Sequence, residues 1–382
     1  MTQGKRAIFQ EVGTDKSTTP VTSARGVIDR GGSAGARAGI RIWMMILFAL
    51  VVVMIAVGGL TRLTDSGLSI TEWKPVSGAL PPMSEEVWLD EFKKYKQIPE
   101  YQLQNKGMSL GEFKTIYWWE WGHRQLGRTI GLVWFLGYAG FALAKRVPTG
   151  WHRRLIWIGA LGGLQGAVGW WMVSSGLEGS MLDVASYRLA THLGLAFVIL
   201  GFIAWYVFLL GRSERDLLQA RRGKEVRQFK LSTGLMHAAF LQIILGALVA
   251  GIDAGRNYPD WPLMAGGFLP PDLFALEPWW RNFFEDDGLV QFMHRMMGYV
   301  LFAFAIVVWR RGQKSAHART KFAFNAVMAM ITVQMVLGIV TVMYSAPWHF
   351  AIVHQIGAVI SWVLIIRARF LSGYPNQQSI RG

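Results

Sequence analysis

Eight apolar stretches, each near the length of about 20 residues that a helix needs to cross a bilayer, recur along the chain at 42–60, 116–144, 153–173, 187–210, 231–251, 289–309, 320–343 and 350–366. Polar connections separate them. The pattern predicts an all-α polytopic membrane protein with eight transmembrane helices. Only 16% of the residues are charged, against roughly 25% in soluble domains.

The polar positions alternate in sign along the chain. Arg37 and Arg41 precede the first span, and Lys145, Arg146, Arg153 and Arg154 lie between the second and third. Arg212, Arg215, Arg221, Arg222, Lys224, Arg227 and Lys230 follow the fourth, and Arg310, Arg311, Lys314, Arg319 and Lys321 follow the sixth. Arg367 and Arg369 come after the last. By the positive-inside rule both termini are expected to be cytoplasmic. This distribution accounts for the net charge of +15 without nucleic acid as a partner. The opposite loops are acidic or mixed and, with no cysteine in the chain, owe their order to packing.

Residues 1–38 are polar and lack apolar periodicity, which predicts a disordered cytoplasmic tail. Glu11, Asp15 and Asp29 fit an organellar transit peptide poorly.

The chain repeats itself. An offset of 188 residues carries Asp65 to Asp253 and Trp73 to Trp261, and a Gly-x-Leu-Pro-Pro string at 78–82 recurs at 267–271. His123-Arg124 matches His294-Arg295, Gln165 matches Gln334, and His192 matches His354. Four spans therefore form one unit. An even number of spans gives both copies one orientation and predicts a pseudo-two-fold axis along the membrane normal. The expected organisation is an N-terminal four-helix bundle at 39–212, a cytoplasmic linker at 213–230, a C-terminal bundle at 231–370 and a cytoplasmic tail at 371–382.

Polar groups inside a bilayer mark function by default. Of eight histidines, His152 and His317 fall in basic connections and His349 at a membrane boundary. His237 has no counterpart in the first span and is expected to hydrogen-bond to a neighbouring helix. The other four, His123, His192, His294 and His354, each follow the start of an even-numbered span by about five residues, a depth of about 8 Å. Two facing imidazoles at one level are what a bis-histidine haem requires. Pairing within each repeat joins His123 to His192 and His294 to His354. Interhelical hydrogen bonding is the plainer reading of each histidine alone. Zinc is disfavoured because its sites usually add carboxylate or thiolate ligands.

The halves differ at one position. Glu120, His123, Arg124 and Arg128 share one helical stripe, but Gln291 stands where the second repeat would have the carboxylate. Glu120 is the candidate catalytic group, as a base or a stabiliser of positive charge; an ordinary ion pair with Arg124 is the alternative. Arg62, Arg124, Arg128, Arg256 and Arg295 lie where haem propionates would emerge, or serve as interfacial anchors. Trp118, Trp119 and Trp121 read as an aromatic belt, and Gly58-Gly59 and Gly162-Gly163 as points of close helix approach.

The run Gly58-Gly59-Leu60-Thr61-Arg62-Leu63-Thr64-Asp65-Ser66-Gly67-Leu68-Ser69, then Glu72-Trp73-Lys74-Pro75, Gly78 to Pro82 and Glu120-Trp121-Gly122-His123-Arg124, resembles the haem A synthase family over nearly the whole membrane region. The resemblance implies haem b, its iron held by His294 and His354, in the C-terminal half. It implies the substrate haem O, or its product haem A, between His123 and His192, with Glu120 matching the family's acidic residue. The activity implied is that of an oxidoreductase, two hydroxylations of one ring methyl and a dehydration that leaves a formyl group. Partners implied are haem O synthase and an unidentified electron-transfer partner, besides the lipid bilayer and a homo-oligomer. A bacterial inner membrane is the implied location. One branch of the family carries a cysteine pair in the first loop; this chain resembles the cysteine-free branch. A dihaem b-type membrane cytochrome is the competing reading.

Overall fold

The computed structural model describes residues 34–376 apart from 178 and 180. Most of the expected N-terminal tail, and residues 377–382 of the expected C-terminal one, lie outside the described residues. The chain is already helical at Ala34, inside the segment expected to be tail.

Twelve α-helices occur among the described residues: α1 (Ala34–Leu63), α2 (Glu85–Tyr95), α3 (Pro99–Leu103), α4 (Leu110–Leu143), α5 (His152–Val173), α6 (Ser186–Leu210), α7 (Glu214–Arg222), α8 (Val226–Gly251), α9 (Asn282–Glu285), α10 (Asp287–Gly312), α11 (Ala318–Met343) and α12 (Trp348–Gly373). Eight of them, α1, α4, α5, α6, α8, α10, α11 and α12, are long and apolar enough to span a membrane, one for each apolar run. Their outward faces carry exposed Leu132, Phe135, Leu136 and Phe322, as a lipid-facing surface requires. The protein is a multi-pass membrane protein.

Several helices outrun their apolar stretches, because capping and polar packing extend them. α4 starts at a capping box, in which Ser109 Oγ accepts from Glu112 N–H while the Glu112 carboxylate accepts from Ser109 N–H. α8 begins at Val226, within the expected linker, and the linker's first part is α7, capped by Ser213. α12 continues to Gly373, so Arg367 and Arg369 belong to the helix. Arg369 donates to Thr233 Oγ1 at 2.9 Å and lies over the rings of Trp205 and Phe229.

The helices pack in matching pairs. α1 and α5 each pack on α4 and α6, while α8 and α11 each pack on α10 and α12. Between the halves, α6 packs on α8 and on α12, and α12 packs on α1. A single apolar core runs through both, from Met44 and Leu47 of α1 through Leu200 of α6 to Ile365 of α12. Tryptophan against glycine sets three of the crossings. Trp43, Trp134 and Trp362 donate their indole N–H to the carbonyls of Val133, Leu155 and Phe197 at 2.9–3.0 Å, each one turn before a glycine, Gly137, Gly159 or Gly201, that the ring covers. A methyl on Gly137 would collide with the indole of Trp43. By contrast nothing lies within 4 Å of a side chain built on Gly162 or Gly163. The expected close approach there is not found.

The first long loop holds a core of its own. Trp88, Phe92 and Tyr95 of α2 pack on Phe113 and Tyr117 of α4, all buried. This aromatic cluster supplies the packing that a loop without disulfides needs.

Candidate haem-binding site

The four aligned histidines come together as two pairs. The rings of His123 (α4) and His192 (α6) have centroids 6.5 Å apart at 63°; those of His294 (α10) and His354 (α12) are also 6.5 Å apart, at 86°. A metal-bound imidazole nitrogen lies about 2.0–2.1 Å from the metal and about 1 Å from its own ring centroid, so two rings on one ion stand about 6 Å apart. Both pairs fit that separation.

Each ring sits on a glycine of a neighbouring helix. A side chain built on Gly58 (α1) would lie 3.0 Å from His123 Nε2, and one on Gly169 (α5) 2.9 Å from His192 Cε1. On Gly246 (α8) it would lie 2.9 Å from His294 Cε1, and on Gly338 (α11) 3.0 Å from His354 Cε1. Any larger residue would push the imidazole away. Gly58, read from sequence as a packing glycine, is therefore the seat of a candidate ligand.

Glutamines brace three of the histidines, two of them at the ring itself. Gln165 Nε2 donates to the carbonyl of His192 at 3.0 Å and lies 3.2 and 3.3 Å from its ring nitrogens. Gln242 Nε2 does the same for His294, at 3.1 Å from the carbonyl and 3.1 and 3.3 Å from the ring nitrogens. Gln334 Nε2 donates to the carbonyl of His354 at 2.6 Å. The Oε1 atoms of all three are buried and unpartnered. Metal-bound histidine normally donates its second ring N–H to an outer acceptor, and idle amide oxygens beside the rings suit that demand. Gln242 escaped the sequence reading; a lone glutamine in the apolar run of α8 was the available signal.

Glu120 lies one turn before His123 and is only 3% exposed. Its Oε1 accepts from Arg124 Nε at 3.0 Å and Nη2 at 2.5 Å. Its Oε2 accepts from Ser69 Oγ and from Ile70 N–H, both at 2.7 Å. The ion pair with Arg124 is thus present, and two donors from the first loop complete it. In the other half Gln291 donates to the carbonyl of Ala254 at 2.7 Å. A carboxylate binds loop N–H and O–H donors where an amide binds a loop carbonyl.

The arginines clasp the loops. Arg124 Nη2 donates to Ile70 O at 2.8 Å and Nη1 to Glu72 O at 3.1 Å; Arg295 donates to Tyr258 O at 2.7 Å and Leu263 O at 3.0 Å. Arg128 holds Lys74 O and Pro75 O, both at 2.9 Å. A cleft of about 360 Å³ opens beside Arg124 and Arg128, walled by Ile70, Lys74, Tyr117 and Trp121. Arg62 is engaged elsewhere, with Asp65 at 2.9 Å, Asp183 at 3.2 Å and Asp253 at 3.1 Å. It joins the two halves through Asp253. Arg256 is half-exposed and 3.4 Å from Asp253.

Trp118 and Trp119 are exposed at the start of α4, and Trp121 donates to Gly78 O at 3.2 Å. His237 is bonded within its own helix, Nδ1 to Thr233 O at 2.9 Å; the expected contact to another helix is not found.

Another acid of the first loop lies deep in the fold. Glu100 of α3 is 3% exposed, accepts from Asn105 Nδ2 at 3.3 Å, and leaves Oε2 unpartnered. Burial pushes its carboxyl up to about 8, with Asp183, Glu120 and Asp65 adding like charge.

Eight membrane-spanning helices that bring two imidazole pairs together define the class, a polytopic membrane protein with two facing histidine pairs in its interior. The profile of the cytochrome oxidase assembly protein family (COX15-CtaA) matches residues 41–366. A heme A synthase of Ruegeria sp. (strain TM1040) is 66% identical over 379 residues, covering 99% of both chains. Those of Roseobacter denitrificans and Paracoccus denitrificans are 64% and 56% identical, each covering 99% of both chains. The chain belongs to this family, the haem A synthases.

Proposed function

We propose that the protein oxidises a ring methyl group of haem O to a formyl group, giving haem A, in a site between His123 and His192 beside Glu120. The observation that carries this is the four-donor carboxylate of Glu120, present one turn before the imidazole in one half and replaced by Gln291 in the other. Two successive two-electron hydroxylations, with water as the oxygen donor and the four electrons passed to an electron-transfer partner, give a gem-diol that loses water to leave the aldehyde. Each oxidation builds positive charge at the ring edge, and a carboxylate fixed by Ser69, Ile70 and Arg124 is pre-oriented to stabilise it. Full-length relatives named as heme A synthases favour this reading over a dihaem cytochrome.

His294 and His354 are the proposed ligands of a resident haem b, which when bound supplies one-electron transfer. The protein's own contribution there is to seat the two rings on Gly246 and Gly338 and hold their backbone with Gln242 and Gln334. Arg124, Arg128 and Arg295 order the loops over the sites, and the cleft beside Arg128 suits a propionate; Arg62, with three carboxylate partners, serves instead to lock the halves. The matched helix pairs support two bundles, 39–212 and 231–370, related by a two-fold axis along the membrane normal. The basic connections favour cytoplasmic termini in a bacterial inner membrane. Supply from haem O synthase follows from the substrate.

The test is expression with and without a haem O synthase, followed by pigment extraction, chromatography and mass measurement. Formyl-bearing haem is expected only when both proteins are present. Unchanged haem b in every case overturns the proposal.

A further inference from the structure

The four glycine seats share one arrangement that the halves fill unequally. One turn before Gly169, Gly246 and Gly338 stand Gln165, Gln242 and Gln334, and each donates to the carbonyl of the histidine that its glycine seats. One turn before Gly58 stands Met54. The placement is otherwise the same. Met54 Cε lies 3.1 Å from a side chain built on Gly127, one turn after His123, and Gln242 Nε2 lies 3.4 Å from one built on Gly298, one turn after His294. Met54 thus occupies the site of Gln242 without its amide. Among the described residues His123 is the one of the four that receives no glutamine at either ring or carbonyl; His354 receives one at its carbonyl, its ring Nδ1 being buried without a partner.

Building on the functional reading above, we propose that Met54 makes His123 the releasable ligand, so that haem enters and leaves the N-terminal bundle on the His123 side while the C-terminal bundle retains its own. The chemistry demands such a difference, since an enzyme whose product is a haem must let that haem go and keep its cofactor. An outer-shell hydrogen bond to a metal-bound imidazole fixes its orientation and strengthens it as a ligand, and losing one typically weakens the site about 10–100-fold. A thioether makes no such bond but fills the same space. The N-terminal haem is then held by one braced imidazole, His192, and one free to swing. The C-terminal haem is held by His294, braced at ring and carbonyl, and by His354, braced at its carbonyl alone. Met54 is a positioning residue acting through His123.

The full-length protein, co-expressed with a haem O synthase and purified with its pigments, is mixed with excess apomyoglobin, and the haem remaining is extracted and separated by chromatography over time. The wild type is expected to lose O- and A-type haem at least tenfold faster than haem b. Met54→Gln slows that loss about tenfold, and Gln242→Met speeds loss of haem b by a similar factor, with Met54→Leu matching the wild type. Equal loss rates for the two pigments in the wild type, or rates unmoved in Met54→Gln and Gln242→Met, overturn the inference. Should Met54→Gln fail to assemble, Gln242→Met decides alone. His123→Ala and His294→Ala separate this from the underlying reading: if both keep full pigment, the histidine assignment itself is wrong.

Discussion

The N-terminal and C-terminal halves each place two imidazoles on two glycines, yet they surround them differently. Beside His294 the neighbours are neutral amides, Gln242 and Gln291, bonded to carbonyls at 3.1 and 2.7 Å. Beside His123 they are a thioether and a carboxylate, and Glu120 is tied to Arg124, Ser69 and Ile70. Neutral amides suit a permanent tenant. A fixed charge and a missing brace suit a site that does chemistry and turns over.

The loops repeat the contrast. Over the N-terminal half, α2 and α3 bury Trp88, Phe92 and Tyr95 in an aromatic core that also shelters Glu100. Over the C-terminal half, Phe268, Trp279 and Trp280 remain exposed. The aromatic core over the N-terminal half would help exclude bulk water from the site proposed to react.

Replacing histidines breaks the comparison most completely. His294→Ala with His354→Ala is expected to remove haem b and all activity, whereas His123→Ala with His192→Ala leaves haem b in place and abolishes formyl-haem formation, measured by pigment extraction from purified protein. The carboxylate comes next. Glu120→Gln is expected to lower formyl-haem production by about 10²–10⁴-fold with both pigments retained, while Gln291→Glu in the other half gives no gain; full activity in Glu120→Gln removes its proposed role.

The glycine seats should respond alike in the two halves but on different pigments. Gly246→Val is expected to displace His294 and cost haem b, and Gly58→Val to cost O-type haem, each seen as loss of one chromatographic peak.

Glu100 sharpens the comparison of the loops through pH. Its folded carboxyl at about 8 lies above the 4.5 of an unperturbed glutamate, so the native state keeps a proton that the unfolded chain has lost. Stability therefore falls as pH rises from about 4.5 to about 8 and levels beyond, by on the order of a few kcal/mol. Glu100→Gln removes this slope, and its thermal midpoint is expected to exceed the wild type at pH 8 and to match it near pH 4.5; parallel curves over that range refute the assignment. The smallest effect belongs to the clamp between halves. Arg62→Lys, losing the fork in which Nη1 holds Asp65 while Nη2 holds Asp183 and Asp253, is expected to lower stability by about 1 kcal/mol, read as a lower midpoint with unchanged pigment.

The eight spans, the matched halves and the histidine pairs were legible because hydropathy and helical period are local. An apolar run of about 20 residues in a bilayer has no alternative to a helix, and residues three or four apart on it share a face, which is how Glu120, His123 and Arg124 were seen together. The offset that aligns Asp65 with Asp253 survived folding, for both take left-handed backbone angles, φ 47° and 53°. Helix ends were less legible. Capping by Ser109 and Ser213, and the ring contacts of Arg369, lengthened helices past their apolar cores.

The sequence alone determined the membrane class, the duplicated plan and the four imidazoles with one carboxylate. Tertiary structure alone decided that Gly58 seats His123 while Gly162 and Gly163 seat nothing, that Arg62 gathers three carboxylates, and that Met54 and Gln242 hold equivalent posts. The reason is geometric: period fixes which residues share one helix face, but what that face meets depends on the rotation and crossing of its neighbour, set jointly by every side chain in the contact.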